Sequence, residues 1–140
     1  MQLEPHHDLT IADNDWADCR LYEHNVAATG RKDWKPIAFW VRNIDGSVVG
    51  VANGYSWAGV AELKQMWVSE PCRGKGIARQ LLDAFIAEAR QREVKRIFVA
   101  SHSFQAPGMY EKFGFRRIAE FAGWPDGHSY VVLCNEFGGE

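Results

Sequence analysis

Residues 65–90 read QMWVSEPCRGKGIARQLLDAFIAEAR. Met66-Trp67-Val68 is apolar and strand-like, and Ser69-Glu70-Pro71-Cys72 turns the chain. Beyond it, Ile77, Ala78, Leu81, Leu82, Phe85, Ile86 and Ala89 recur at helical spacing. The spacing predicts a helix over Gly74–Arg90, with Gly74, Lys75 and Gly76 at its start behind Arg73. A strand feeding a glycine-rich helix start is an anion site in outline. The first backbone N–H groups of a helix lack partners, the dipole end is positive, and missing side chains let a phosphate approach. First turns usually carry acidic residues, yet this one carries Arg73 and Lys75.

Working outward, Asp13 to Asp15 are expected to start a helix that carries Trp16, Cys19, Leu21, Tyr22 and Val26 and ends near Gly30. Leu9 to Ala12 read as a short edge strand ahead of it. Ile37–Arg42 and Ser47–Tyr55 read as a hairpin around Asn43-Ile44-Asp45-Gly46. Trp57-Ala58-Gly59 turns the chain into Val60–Val68. After the glycine-rich helix, Val94–Ala100 is a short buried strand, parallel to Val60–Val68 through the crossover. Pro107 opens a short helix that Gly114 ends, and Phe115–Phe121 and Ser129–Phe137 close the chain around Trp124-Pro125-Asp126-Gly127. The expected fold is α/β (mixed α+β): a mixed central sheet of about six to seven strands with helices on both faces, in one domain over residues 1–140.

Composition narrows the function classes. The chain has 140 residues, 46% hydrophobic and 24% charged, as in ordinary folded proteins. A net charge of −2 without a basic run argues against nucleic acid as a partner. Cys19, Cys72 and Cys134 are scattered, with no metal-ligand spacing, which fits a reduced cytoplasmic protein and no metal site. The amino-terminal stretch lacks the apolar run of a signal peptide, and no stretch is long and apolar enough for a membrane span.

Two nucleotide motifs fail on inspection. A Walker loop needs Ser or Thr after its Lys, but Gly76 follows Lys75; a dinucleotide fingerprint needs Gly where Arg79 stands. What fits is R-x-x-G-x-A, read from Arg73 to Ala78, together with a second segment, Ser103-Phe104-Gln105-Ala106-Pro107-Gly108-Met109-Tyr110-Glu111-Lys112-Phe113-Gly114-Phe115. These resemble the Q/R-x-x-G-x-G/A and NxxAxxxYxKxGF segments of the GNAT superfamily of N-acetyltransferases. The strand order agrees from about Ile37 to Phe137. Two departures are visible: Ser103 stands where the family commonly has Asn, and one helix precedes the Ile37 strand where the family often has two.

The resemblance implies acetyl-CoA as cosubstrate and an amine as acceptor. Met66, Trp67 and Val68 would lie on a strand that splays from its neighbour and receives the pantetheine arm, a backbone N–H there polarising the thioester carbonyl. The backbone of Arg73, Gly74, Lys75, Gly76, Ile77 and Ala78 would hold the pyrophosphate, and Ser103 would contribute a hydroxyl at the cofactor. Tyr110 matches the family's general acid, a phenol that protonates the leaving thiolate. Glu62 resembles by position the glutamate base of the histone-acetyltransferase branch; His128 and His102 are further candidates. Trp34, Trp57 and Trp124, with Tyr22, Glu23 and His24, are candidates for an acceptor pocket. The expected reaction is direct transfer in a ternary complex to a small-molecule amine. The alternatives are a peptide or protein acceptor, or a non-catalytic acyl-CoA-binding or protein-interaction module. Dimers are common in the family, so a homodimer is possible.

Overall fold

A computed structural model describes residues 1–137. The chain divides into two compact units, Met1–Lys32 and a larger one beginning at Asp33.

The first unit holds α1 (Ile11–Thr29). Its start departs from expectation: Leu9–Ala12 is not a strand, because Thr10 and Asp13 form a capping box that draws Ile11 and Ala12 into the helix. Asp13 N–H donates to Thr10 Oγ1 at 3.0 Å, and Thr10 N–H to Asp13 Oδ2 at 3.1 Å. Gly30 ends the helix in the left-handed region, its N–H bonded to the Val26 carbonyl.

The larger unit is a six-stranded mixed sheet in the order β1-β2-β3-β4-β6-β5. Its strands are β1 (Lys35–Arg42), β2 (Val48–Trp57), β3 (Val60–Val68), β4 (Arg96–His102), β5 (Arg116–Ala122) and β6 (Ser129–Glu136); its helices are α2 (Ile77–Gln91) and the single turn α3 (Gly108–Glu111). β1, β2 and β3 form an antiparallel meander, β3 runs parallel to β4, and β6 inserts between β4 and β5. Strand alternation puts Ile37, Ala52, Leu63, Ile97, Val99, Val131 and Leu133 into one buried cluster with Leu81, Leu82 and Phe85 of α2, and Tyr110 of α3 joins it.

The glycine-rich segment begins its helix later than the spacing suggests. Gly74 and Gly76 have φ of 77° and 83°, outside helical geometry, so α2 starts at Ile77 with Gly76 as its N-cap. Among the described residues no helix is long and apolar enough to cross a membrane.

Arg92 fastens the other end of α2. Its guanidinium donates to Glu88 Oε2 (2.9 Å), Ser56 Oγ (3.1 Å) and the carbonyls of Lys35 (3.1 Å) and Pro36 (2.8 Å). The side chain is 16% exposed, so this fork ties α2 to β1 and β2 where solvent competes weakly. Arg92→Ala leaves the Ser56 hydroxyl and Glu88 without that donor and is expected to cost about 2–3 kcal/mol in denaturant unfolding. Arg92→Lys recovers only part of it, because an ammonium lacks the planar fork.

Candidate functional site

The site starts where β3 and β4 stop pairing. Their ladder runs from Val60↔Arg96 to Leu63↔Val99 and no further. Beyond it, Gln65–Val68 pair only with β2, and Ala100–His102 only with β6. The sheet therefore opens into a notch between two strands that still run in the same direction. Backbone donors and acceptors on the notch edges are free of the ladder, the arrangement by which an extended ligand is held as an added strand. Of the residues on the β3 edge, Met66 and Val68 are partly buried and pack against the core, and Trp67 is 47% exposed.

Lys64 is an extra residue in β3: Asn53 pairs with Gln65, but Gly54 pairs with Leu63. This bulge lies where β3 leaves β4. Gly54 makes it possible, since a Cβ there would overlap the Glu62 carbonyl and approach the Phe85 ring to 2.9 Å. The strands come this close only because Gly54 has no side chain.

At the end of the notch, Val68, Cys72, Arg73, Gly74, Gly76, Ile77 and Ala78 line a cavity of about 230 Å³. Gly76 makes no side-chain cap and the first turn of α2 holds no acidic residue. The first intrahelical bond runs from Gln80 N–H to the Gly76 carbonyl, so the N–H groups of Ile77, Ala78 and Arg79 precede the ladder. Nothing lies within 4 Å of where a Cβ on Gly74 or Gly76 would project. Open backbone, unspent donors and a positive dipole end are features that could hold an anion. The Arg73 guanidinium instead turns inward, Nε donating to the Val68 carbonyl at 3.0 Å and tying the turn to β3. Lys75 is exposed between the two glycines.

The Tyr110 segment meets this turn. The Arg79 guanidinium lies over the Phe113 ring at 5.7 Å, joining the first turn of α2 to the chain just after α3. Tyr110 is 5% exposed and packs edge-on against Phe115, with centroids 5.7 Å apart. Its hydroxyl has no hydrogen-bond partner among the described residues, and no buried side-chain polar atom is left unsatisfied, so the ring is enclosed while its oxygen reaches accessible surface. Burial pushes its pKa up to about 12.

Glu62 lies on the opposite face of β3 from Ala61 and Leu63, level with Phe98 of β4 and Tyr55 of β2. Tyr55 Oη donates to Glu62 Oε1 at 2.7 Å, and the Tyr55 ring stacks on Trp34 at 5.8 Å. Tyr55, Trp57, Ala58, Val60, Glu62 and Phe98 line a second cavity of about 210 Å³. Burial, then the Glu62 bond and charge, push the Tyr55 pKa up to about 12. On the same sheet face Trp40 Nε1 donates to Asn53 Oδ1 (2.7 Å), and Asn53 Nδ2 to Gln65 Oε1 (3.0 Å).

The two raised phenols have a measurable consequence. Both fold with the proton on, so their contribution to stability is complete below pH ~10 and is lost as pH rises from about 10 to about 12. An ultraviolet alkaline titration is expected to show Tyr55 and Tyr110 ionising near 12, and Tyr110→Phe is expected to remove one of these late phenolates.

The other candidates have structural partners. Ser103 Oγ accepts from Ser129 N–H (3.0 Å) and lies 3.4 Å from His128 Nδ1, holding the chain after β4 to the start of β6. His102 Nδ1 is 3.2 Å from the Trp124 carbonyl, and its ring packs among Phe104, Trp124 and Tyr130. The tryptophans of the expected acceptor pocket therefore separate: Trp57 and Trp34 gather around Tyr55 and Glu62, and Trp124 belongs to the His102 cluster. Tyr22, Glu23 and His24 lie on α1, where Glu23 pairs with Arg20 at 2.8 Å. Sequence reasoning passed over Tyr55 and Phe98; the two-residue turn Ala58-Gly59, which sets Tyr55 opposite Glu62, was the available signal. Among the described residues no group of His, Cys, Asp or Glu is placed to hold a metal ion.

Comparison with known proteins finds likeness in both sequence and fold. Residues 5–115 match the model of the acetyltransferase (GNAT) family. The acetyltransferase Atu2258 of Agrobacterium fabrum is 31% identical over 117 residues, covering 84% of this chain and 85% of that protein. The crystal structure of an acetyltransferase from Bacillus cereus superposes with a TM-score of 0.82 over 98% of both chains, at 23% identity, a likeness of fold. The PaiA N-acetyltransferase of Thermoplasma acidophilum, crystallised in complex with coenzyme A, shares the fold with a TM-score of 0.60 at 18% identity, over 73% of this chain and 61% of that one.

Proposed function

The chain belongs to the GNAT acetyltransferase family, and from that premise we propose that it is an N-acetyltransferase moving an acetyl group from acetyl-CoA to the amine of a small molecule. The observation that carries the reading is the notch between β3 and β4 opening onto the glycine turn before α2. That arrangement suits a long cosubstrate with an extended arm at one end and a diphosphate at the other.

Acetyl-CoA supplies the activated acetyl group when bound. The backbone N–H groups from Gly74 to Ala78 would hold its diphosphate, and the unladdered edge at Met66–Val68 its arm, with a backbone N–H polarising the carbonyl. Glu62 takes a proton from the acceptor nitrogen, directly or through water. The nitrogen then forms the new C–N bond as the C–S bond breaks, and Tyr110 supplies a proton to the departing sulfur. Overall the ammonium loses two protons, sulfur gains one, and one leaves to solvent. No covalent enzyme intermediate is required: Cys72 lines the diphosphate end, and Cys134 is buried with its thiol pKa pushed up by desolvation.

Calorimetric titration with acetyl-CoA and with desulfo-CoA tests the cosubstrate half, and thiol release across a panel of amines tests transfer. Absence of binding at millimolar concentration overturns the proposal. Tight binding without transfer to any amine would point to the non-catalytic acyl-CoA-binding reading.

A further inference from the structure

The cavity beside Glu62 has a chemical character of its own. Three of its six lining residues are aromatic (Tyr55, Trp57 and Phe98), two are apolar, and the sixth is a carboxylate. It contains no Lys or Arg. Among the described residues Glu62 forms no ion pair, and its only hydrogen bond is the one Oε1 accepts from Tyr55, so Oε2 remains available. Tyr55 is held between that bond and the Trp34 ring, which fixes one wall. Glu62 and Phe98 are level with each other, one residue before the last β3–β4 pair, so the cavity adjoins the point where the notch begins.

We infer that this cavity is the acceptor subsite, and that it selects an alkylammonium: a cationic amine on an apolar stem, with no carboxylate near the nitrogen. The inference rests on the transferase reading and adds the acceptor's chemical class to it. Aromatic faces present negative potential and a hydrophobic wall to an organic cation, and an unneutralised carboxylate adds Coulomb attraction and a proton acceptor. An α-amino acid would bring its own carboxylate against Glu62, with no cation in the cavity to receive it. A neutral alcohol would forfeit the charge interaction. About 210 Å³ admits an ammonium and a short stem, leaving the rest of a larger acceptor outside. The same carboxylate that attracts the cation is positioned to remove its proton.

The test uses the full chain saturated with coenzyme A and four probes of one stem length: n-butylamine, n-butyltrimethylammonium, n-butanol and norleucine. Calorimetry is expected to show both cations binding at least tenfold more tightly than butanol or norleucine. Glu62→Gln and Trp57→Ala are each expected to weaken the cations about tenfold, with coenzyme A affinity, which reports folding, held within twofold. Trp57→Phe, expected to retain most cation affinity, keeps the test open if Trp57→Ala fails to fold. Norleucine binding as tightly as butylamine, or cation binding indifferent to both Glu62→Gln and Trp57→Ala, overturns the inference. Binding and transfer fail separately. Cation binding that depends on Glu62 and Trp57, without acetyl transfer to any amine, would uphold the subsite and overturn the transferase. Transfer whose acceptor KM ignores both residues would do the reverse.

Discussion

Tyr110→Phe is expected to lower turnover roughly 10²-fold while acetyl-CoA affinity changes less than about twofold. The ring is 5% exposed and wedged edge-on against Phe115, so phenylalanine fills the same space and the fold is retained. What is lost is one proton. With its pKa pushed up to about 12, the phenol is fully protonated at any working pH and always available as a donor. It is also a weak acid beside a thiol of pKa ~8.5, so complete transfer to the thiolate is uphill by roughly 3–4 pH units. Its contribution is therefore a hydrogen bond that strengthens as charge builds on sulfur, the proton transfer being completed only as solvent reprotonates the phenol. That places the effect near the lower end of the range for general acids. Initial rates at saturating acceptor, beside calorimetric Kd values for the cosubstrate, decide it. Equal turnover in both proteins would remove Tyr110 from the mechanism.

The parts legible in the sequence were local ones. Gly74 and Gly76 announced a glycine turn ahead of α2, and the Asp45-Gly46 and Ala58-Gly59 pairs announced the hairpins that make β1, β2 and β3 a meander. The crossover through α2 implied a parallel β3–β4 pair, which is present. Pairing between distant strands left no local trace, and the insertion of β6 between β4 and β5 is of this kind. Leu9–Ala12 misled because a run of apolar residues outweighed Thr10 and Asp13, whose reciprocal bonds begin α1. Arg92 left no local trace either: its four acceptors come from β1, β2 and α2 and meet only in the folded chain.

Glu62 shows how far such reasoning reaches. Its place on β3 followed from alternation, and its partner could have been counted across the two-residue turn from Trp57↔Val60 back to Tyr55↔Glu62. The bulge at Lys64 could not be counted in this way. It depends on Gly54 having no Cβ to strike the Glu62 carbonyl, and a glycine in a strand signals close approach without naming what approaches. The carboxylate was thus identifiable as a candidate base, but the aromatic enclosure around it was not.

Gly76→Asp should separate the proposed diphosphate site from the fold that carries it. Gly76 sits at the N-cap of α2 with φ of 83°, in open space. Aspartate is among the residues that tolerate this left-handed region, so the strain of replacing glycine is about 1 kcal/mol. Unfolding stability is expected to stay within about 1 kcal/mol of wild type. Cosubstrate binding should not survive so well. The new carboxylate would place a negative charge some ~5 Å from the diphosphate, a repulsion of about 3 kcal/mol at an effective dielectric of ~20. Acetyl-CoA affinity should therefore fall at least ~10²-fold, and added salt should recover part of it by screening. Gly76→Ala controls for strain alone, because it adds a Cβ in open space without charge. If Gly76→Asp binds acetyl-CoA as wild type does, the first turn of α2 is a structural turn and the diphosphate lies elsewhere.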